Sequence, residues 1–311
     1  MSFFQNILSN VMKGTRRLNR FGLKSFGKLH KNINKAVDSV MSTSGEVSSL
    51  VYAEHLLNLI EKQDDKNLKK FLKNLSSNYD IDTKALIKDA RAYSSDKNEQ
   101  NLQKIRLSSE PGWIELFRRL NSTSNGTYRL VRLRERIRSF NDNDLKAFDS
   151  GLLKLFKYWF NPSFLVLEKI EWETPANILE KIIEYEAVHE INSWDDLRAR
   201  LAPDDRQCFA FFHPLIPNDP LIFVEVALTT GVPDSIESII NLDRKEIEAE
   251  DANTAIFYSI SNCHNGLLGI SFGNFLIKKV ANNLKRELPD LNQFLTLSPL
   301  PGFMKWMEEY S

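Results

Sequence analysis

The sequence predicts an all-α helical bundle followed by a mixed α/β (α+β) domain. Three observations carry that prediction. Apolar residues recur at helical spacing from about residue 48 to 160. The composition shifts at Asn161-Pro162, and beyond it short apolar runs suited to strands alternate with helical stripes. A chain of 311 residues is long enough to bury two cores of ordinary size. The expected division is a basic amphipathic arm over 1–40, a helical domain over 41–162 and a mixed domain over 163–311.

The first 37 residues carry eight lysines or arginines, and the first acid is Asp38. Phe4, Ile7, Leu8, Val11 and Met12 recur there with helical spacing. Such a start suits a mitochondrial transit peptide, a membrane-surface helix or a basic arm. It lacks the arginine-dominated, alanine-rich look of most transit segments. The expectation is a cytoplasmic protein, with the mitochondrial matrix as the alternative.

In the helical part, Leu56, Leu57 and Ile60 fall on one stripe, and Leu68, Phe71, Leu72 and Leu75 on another. Trp113, Leu116, Phe117 and Leu120 form a third. Leu130, Leu133 and Ile137 lead a basic helix whose arginines, from Arg129 to Arg138, read as a solvated face pairing with acids elsewhere. Asp142 and Asp144 stand where a helix N-terminus favours negative charge.

In the mixed part, Phe164 and Val166 suggest a strand, and Pro175 opens a helix with Ile178, Leu179 and Ile182 inward. Ser193 reads as the N-cap of a short helix at Trp194. Strands follow at 208–212 and 221–228, and Pro233 is expected to start another helix with Ile236, Ile239 and Ile240 inward. A strand holding Ser259 and Ser261 then runs into Gly266, Gly269 and Gly273. Phe272, Leu276, Val280, Leu284 and Leu288 keep a stride of four, one buried stripe of the following helix. Lys278, Lys279, Lys285 and Arg286 lie off that stripe.

Forty-two per cent apolar and 26 per cent charged residues describe an ordinary soluble globular composition. The 41 basic and 41 acidic residues cancel, which argues against a general nucleic-acid binder. Two cysteines make neither a disulfide framework nor a zinc site, and no apolar run is long enough to span a membrane. A strand feeding a helix through glycines leaves backbone N–H groups unpaired at the positive end of the helix dipole, where a pyrophosphate is well held. The glycine spacing alone is a weak motif, since ordinary tight turns share it.

The wording of the whole block is more specific. Phe257-Tyr-Ser-Ile-Ser261, Gly266-Leu-Leu-Gly-Ile-Ser-Phe-Gly273, Phe275-Leu-Ile-Lys278 and Leu297-Ser-Pro-Leu-Pro-Gly-Phe-Met-Lys-Trp306 resemble the catalytic region of malonyl-CoA decarboxylases. Phe164-Leu-Val-Leu-Glu-Lys-Ile-Glu-Trp172, Glu186-Ala-Val-His189 and Pro220-Leu-Ile-Phe-Val-Glu-Val-Ala-Leu-Thr229 are similar to the same family's entry into that domain. The resemblance is dense from about Phe164 to Trp306 and thins back to about Pro111.

It implies a catalytic domain folded like the Gcn5-type N-acetyltransferases, with the coenzyme A pyrophosphate on the glycine turn. Leu268, Gly269, Ile270, Ser271, Phe272, Gly273 and Asn274 match the stretch that cradles the coenzyme, and Ser298 matches the catalytic serine. Ser271 stands where the animal members look to carry a glutamate. The family pairs its serine with a histidine in an Asn-Pro-x-Ala-x-Phe-His motif far downstream. The five histidines here all precede Ser298, and none sits in that motif. Of these, His264 in the glycine turn and His213 in Phe-Phe-His-Pro stand where either could approach a thioester. The expectation is therefore a domain C-terminally incomplete, with reduced activity and an exposed sheet edge that makes it poorly soluble or reliant on a partner.

The implied reaction turns malonyl-CoA into acetyl-CoA and CO2. It needs donors at the thioester oxygen, a carboxylate drawn out of water and an acid for the new carbanion. No separate cofactor and no metal are expected, coenzyme A being part of the substrate. A homo-oligomer through the helical domain is expected, with no nucleic acid and no membrane span. The alternatives are a coenzyme-A-dependent acyltransferase on the same scaffold, or a non-catalytic coenzyme-A-binding or assembly protein.

Overall fold

The computed structural model describes residues 29–216, 218–298, 300 and 302–310. The amphipathic stretch around Phe4 to Met12 and most of the basic cluster lie outside them. The chain divides into two compact units, Met1–Tyr158 and Trp159–Ser311.

The first unit is helical: α1 (Ile33–Ser42), α2 (Glu46–Glu61), α3 (Asp65–Asn78), α4 (Thr83–Ser95), α5 (Glu99–Ser108), α6 (Gly112–Asn121), α7 (Gly126–Ser139) and α8 (Lys146–Trp159). α1 begins inside the stretch assigned from sequence to the arm, and buries Ala36, Val37 and Val40. Asp64, Asp82 and Asn98 each accept a backbone N–H at the start of the helix they precede, which satisfies donors a helix start otherwise leaves open. The core gathers around Trp113, whose ring centroid lies 4.6 Å from that of Phe148. Gly151 makes this possible, because a Cβ there would sit 2.5 Å from the indole. α4 and α5 pack on each other and bury no residue completely.

The reading of α7 as a solvated arginine face needs one correction. Arg129 does pair with Glu54 and Glu61, and Arg136 with Asp65. Arg134, however, is fully buried, its Nε donating to Asp149 at 2.8 Å. Helical spacing put it off the leucine stripe, but α8 covers that side and supplies the carboxylate.

The second unit holds a five-stranded mixed sheet in the order β1-β2-β3-β4-β5. The strands are β1 (Val166–Ile170), β2 (Arg206–Phe212), β3 (Ile222–Thr229), β4 (Thr254–Asn262) and β5 (Gln293–Thr296). The first four are antiparallel neighbours, while β5 runs parallel to β4. A parallel neighbour needs a crossover, and α12 (Gly273–Glu287) provides it. Helices α9 (Ala176–Tyr185) and α10 (Trp194–Leu201) share a core with Ile170, Cys208, Ala210, Phe212 and Phe223 on one face. α12 covers the other, its Phe275 stacked on Phe211 at 5.5 Å. Burial on both faces explains why β2, β3 and β4 read as nearly unbroken apolar runs.

Ser193 caps α10 by accepting the N–H of Asp196. The expected helix at Pro233 shrinks to a single turn, α11 (Glu237–Ile240), in which Ile239 is buried and Ile240 is not. A final helix, α13 (Phe303–Tyr310), buries none of its residues. Among the described residues no helix is long and apolar enough to cross a membrane.

Candidate functional site

β4 ends at Asn262, and the chain turns through His264 and a short 3-10 segment, Asn265–Leu267, before α12 begins. Three turn hydrogen bonds shape this connection: Leu267 N–H to His264 O at 2.9 Å, Leu268 N–H to Asn265 O at 3.3 Å and Ile270 N–H to Leu267 O at 3.1 Å. Between the last two stands Gly269 at φ +93°, a conformation that side chains rarely adopt. Phe272 is buried, edge-on to Phe160, and anchors the helix start.

α12 then opens without a side-chain cap. The N–H groups of Gly273, Asn274 and Phe275 have no carbonyl a turn earlier within the helix to bond, the usual anion-holding geometry. A Cβ at Gly273 would meet nothing within 4 Å, so this helix start faces open space. Of the seven residues singled out from sequence, Leu268 and Ile270 spend their N–H groups on the turn and Phe272 spends its ring on the core. Gly269, Ser271 and Asn274 are exposed, and Gly273 partly so. Lys278 and Lys279 are exposed one turn on. Lys285 donates to the carbonyls of Pro289 and Leu291 and closes the far end of the helix, where a cation opposes the dipole.

The second component lies where β4 and β5 part. β5 pairs only with Thr254 to Phe257 of β4, and the Leu297 N–H adds one last bond to Phe257 O at 2.9 Å. From Tyr258 onward β4 keeps its partner β3 but has no β5 beside it. The β3–β4 register also slips here: Val226 faces Phe257 and Glu225 faces Ser259, leaving Tyr258 as the extra residue of a bulge. Ser298 follows the last ladder bond directly and is exposed. Pro299 and Pro301, which follow it in the motif, fall outside the described residues. The stretch of β4 from Tyr258 to its end spans roughly 13 Å at strand rise. It connects the level of Ser298 to the glycine turn.

The face of β4 toward α9 and α10 holds a buried polar cluster that the sequence reading passed over. Ser259 and Ser261 point there, as their alternation suggests. Both hydroxyls donate to the Glu186 carboxylate, at 2.7 and 3.0 Å. Opposite Ser259 stands Glu225, fully buried and paired with Arg200 at 2.9 Å. Burial pushes the Glu225 carboxyl up to about 7, against the pull of Arg200. A cavity of about 180 Å³ beside Tyr258 is lined by Arg200, Arg206 and Arg244. Those arginines are already engaged by Glu225, the Ile239 carbonyl and Asp205, so they serve as a structural ion cluster.

The two histidines nominated from sequence are both interior. His264 is 1% exposed, with Nε2 3.5 Å from Asp219, which also pairs with Lys181 at 2.8 Å. His213 is 3% exposed, against Phe160, and burial pulls its imidazole down to about 4. Neither reaches an exposed thioester. His189 is half-buried, with its ring 6.1 Å from that of Tyr258 at the bulge. Cys208 and Cys263 are buried and their thiols are pushed well above the ordinary range, mainly by desolvation. They are inert as nucleophiles.

The profile of the malonyl-CoA decarboxylase C-terminal domain matches residues 163–311, and that of the N-terminal domain matches residues 79–160. The chain is 39% identical over 213 residues to the mitochondrial malonyl-CoA decarboxylase of Anser anser anser, covering 66% of this chain and 42% of that protein. It is 36% identical over 213 residues to that of Rattus norvegicus, covering 66% and 43%. Among solved structures, the malonyl-CoA decarboxylase from Agrobacterium vitis superposes with a TM-score of 0.86 at 48% identity, covering 89% of this chain and 68% of that one. The one from Rhodopseudomonas palustris gives 0.83 at 46%, with the same coverage. The chain spans less than half the length of the mitochondrial relatives it matches.

Proposed function

The chain belongs to the malonyl-CoA decarboxylase family, and on that premise we propose that it binds malonyl-CoA along the outer edge of β4 and converts it to acetyl-CoA and CO2. The observation that carries this is the parting of β4 from β5, with Ser298 at one end of the opened edge and an uncapped helix at the other. The pyrophosphate rests on the first N–H groups of α12, helped by Lys278 and Lys279. The amides of the pantetheine arm add to the free strand edge as a short extra strand would. The thioester arrives beside Ser298.

On this reading the Ser298 hydroxyl donates to the thioester oxygen. The bond to the carboxylate carbon breaks, CO2 leaves, and its electron pair becomes an enolate that the donated hydrogen bond stabilises. A proton taken up from solvent then adds to the carbon and completes the acetyl group. The domain follows the Gcn5-type N-acetyltransferase plan: four antiparallel strands, a bulge in the fourth, a glycine turn into a helix, and a parallel fifth strand support it. The α4–α5 pair, with no buried residue of its own, is the part of the helical unit offered for homo-oligomer contacts. We place the chain in the cytoplasm. The mitochondrial matrix is the alternative, the curated relatives being named mitochondrial, and fractionation of cells making the full chain decides between the two.

The full chain incubated with malonyl-CoA and no acceptor is expected to release acetyl-CoA, followed by chromatography, and Ser298→Ala is expected to lose at least tenfold in kcat. Coenzyme A binding without turnover, unchanged by Ser298→Ala, would favour the non-catalytic alternative. Turnover only when an amine or carrier acceptor is added would favour the acyltransferase.

A further inference from the structure

We infer that His189 lines the acyl end of this site and that its ring N–H donates to the carboxylate-bearing headgroup, which makes it a specificity-determining residue. The inference rests on the proposed coenzyme A site and extends it to a residue that the Glu186-Ala-Val-His189 stretch contains but to which sequence alone assigns no role.

Its first support is how firmly the loop is held. The backbone leaves α9 at Glu186, whose carboxylate turns back into the protein and is 8% exposed. Oε1 accepts the N–H of Val188 at 2.9 Å and of His189 at 2.7 Å. The Ser259 hydroxyl reaches both carboxylate oxygens, at 2.7 and 2.8 Å, and Ser261 donates to Oε2 at 3.0 Å. The Ala187 N–H in turn donates to Ser261 Oγ at 3.2 Å. Three successive N–H groups of a loop are thus fixed to one face of β4. A buried carboxylate is a costly way to join two helices, since desolvating it opposes folding. What it accomplishes is to fix the backbone that carries the imidazole.

The second support is where that imidazole stands. Its ring lies over Tyr258, the bulge residue. The carbonyl of the preceding residue, Phe257, holds Leu297 and so the strand end that presents Ser298. His189 thus meets the Tyr258 ring from the helix-covered face, while the strand end before Ser298 is held at Phe257, the neighbouring residue of β4, from the parted edge. The other histidines of this unit, His213 and His264, are interior. His189 is partly open to solvent, beside the ring of Tyr258, a residue whose backbone the proposed thioester would follow. An imidazole N–H there meets the acyl group and not the nucleotide, which lies at the other end of the opened edge.

The test is calorimetry in a Ser298→Ala background, so that malonyl-CoA is consumed at least tenfold more slowly, with coenzyme A and malonyl-CoA as probes. Adding His189→Ala is expected to weaken malonyl-CoA about tenfold and leave coenzyme A within twofold; His189→Asn, which keeps a donor, is expected to recover part of the loss. Thermal unfolding of both variants, within 2 °C of the parent, separates the effect from misfolding. Equal weakening of both probes, or of neither, overturns the inference while the coenzyme site stands. Failure of the parent chain to bind coenzyme A at all overturns the proposed function, and this inference with it.

Discussion

Glu186 is the residue whose removal the structure prices most directly. Its carboxylate accepts from two backbone N–H groups and two buried hydroxyls. Glu186→Ala leaves all four donors seeking new acceptors. An orphaned buried donor costs about 1–3 kcal/mol. The low end applies here, because Val188 and His189 are only half-buried and Ser259 can turn toward Ser261 Oγ, 3.4 Å away. Four such losses, less the relief of no longer desolvating a carboxylate, leave about 3 kcal/mol. For a unit of this size, that corresponds to roughly 6–12 °C in Tm. Glu186→Gln keeps one carbonyl acceptor and is expected to lose only about 1 kcal/mol. The measurement is urea unfolding followed through the near-UV signal of the Trp172–Trp194 pair, which sits in this unit at 6.1 Å, because a chain of two units need not unfold in one step. A double-mutant cycle with Ser259→Ala should return a coupling of about 1 kcal/mol. A Glu186→Ala protein within about 0.5 kcal/mol of the parent would mean that the cluster is not bonded as described.

Three further outcomes are expected. His213, lowered to about 4 by burial, binds its proton more weakly folded than unfolded, so it removes stability as pH falls from 6.5 toward 4; Glu225, raised to about 7 mainly by desolvation, binds its proton more tightly folded, so it removes stability as pH rises from 4.5 through 7. Where the windows overlap the slopes oppose. The parent should therefore show a flat profile between pH 4.5 and 6.5, while His213→Gln falls and Glu225→Gln rises with pH, each by up to about 1.4 kcal/mol per unit in denaturant titrations; parallel profiles for all three would refute the assignment. Gly269→Ala, forced to φ +93°, should lose about 1–2 kcal/mol and weaken coenzyme A in calorimetry, and an unchanged protein would show that the turn relaxes freely. The exposed, stacked rings of Phe303, Trp306 and Tyr310 should drive self-association that Trp306→Lys reduces in sedimentation; a monodisperse parent contradicts this and the solubility expectation.

The parts of this fold that were legible in sequence are those whose cause is local. The stride of four from Phe272 to Leu284 became one buried stripe because a helix brings every fourth residue to nearly the same face. Ser193 read as a cap because a hydroxyl before a helix has an N–H within reach. The strands read as apolar runs because both faces of the sheet are covered. Arg134 was misread, since spacing tells which side of α7 it occupies but not that α8 closes that side. The short α11 shows the converse: Pro233 and three isoleucines have helical spacing, yet Ile239 alone is fully buried, Ile236 packs beside it in part and Ile240 stays exposed. Among the glycines, sequence could not tell that Gly269 needs a positive φ while Gly273 stands in open space.

The candidate site was hidden for a deeper reason. Its decisive feature is a register slip at Tyr258 combined with the departure of β5, and both are properties of pairings between segments far apart in sequence. Phe257 to Ser261 contains nothing locally that would demand a bulge. The slip also places Tyr258 and Ser259 so that one meets His189 and the other meets Glu186. A histidine four residues past the end of α9 reads as a loop residue until that geometry is known. The Glu186-Ala-Val-His189 stretch stands out in sequence without a role, because a glutamate at a helix end followed by small and apolar residues has no obvious reason to turn inward. It turns inward because two serines on one strand face and two N–H groups of its own loop provide four donors to one carboxylate. Buried carboxylates of this kind survive only when their bonds are complete. The cluster must therefore form as a unit, and the loop that bears His189 takes its conformation from the sheet and not from its own sequence.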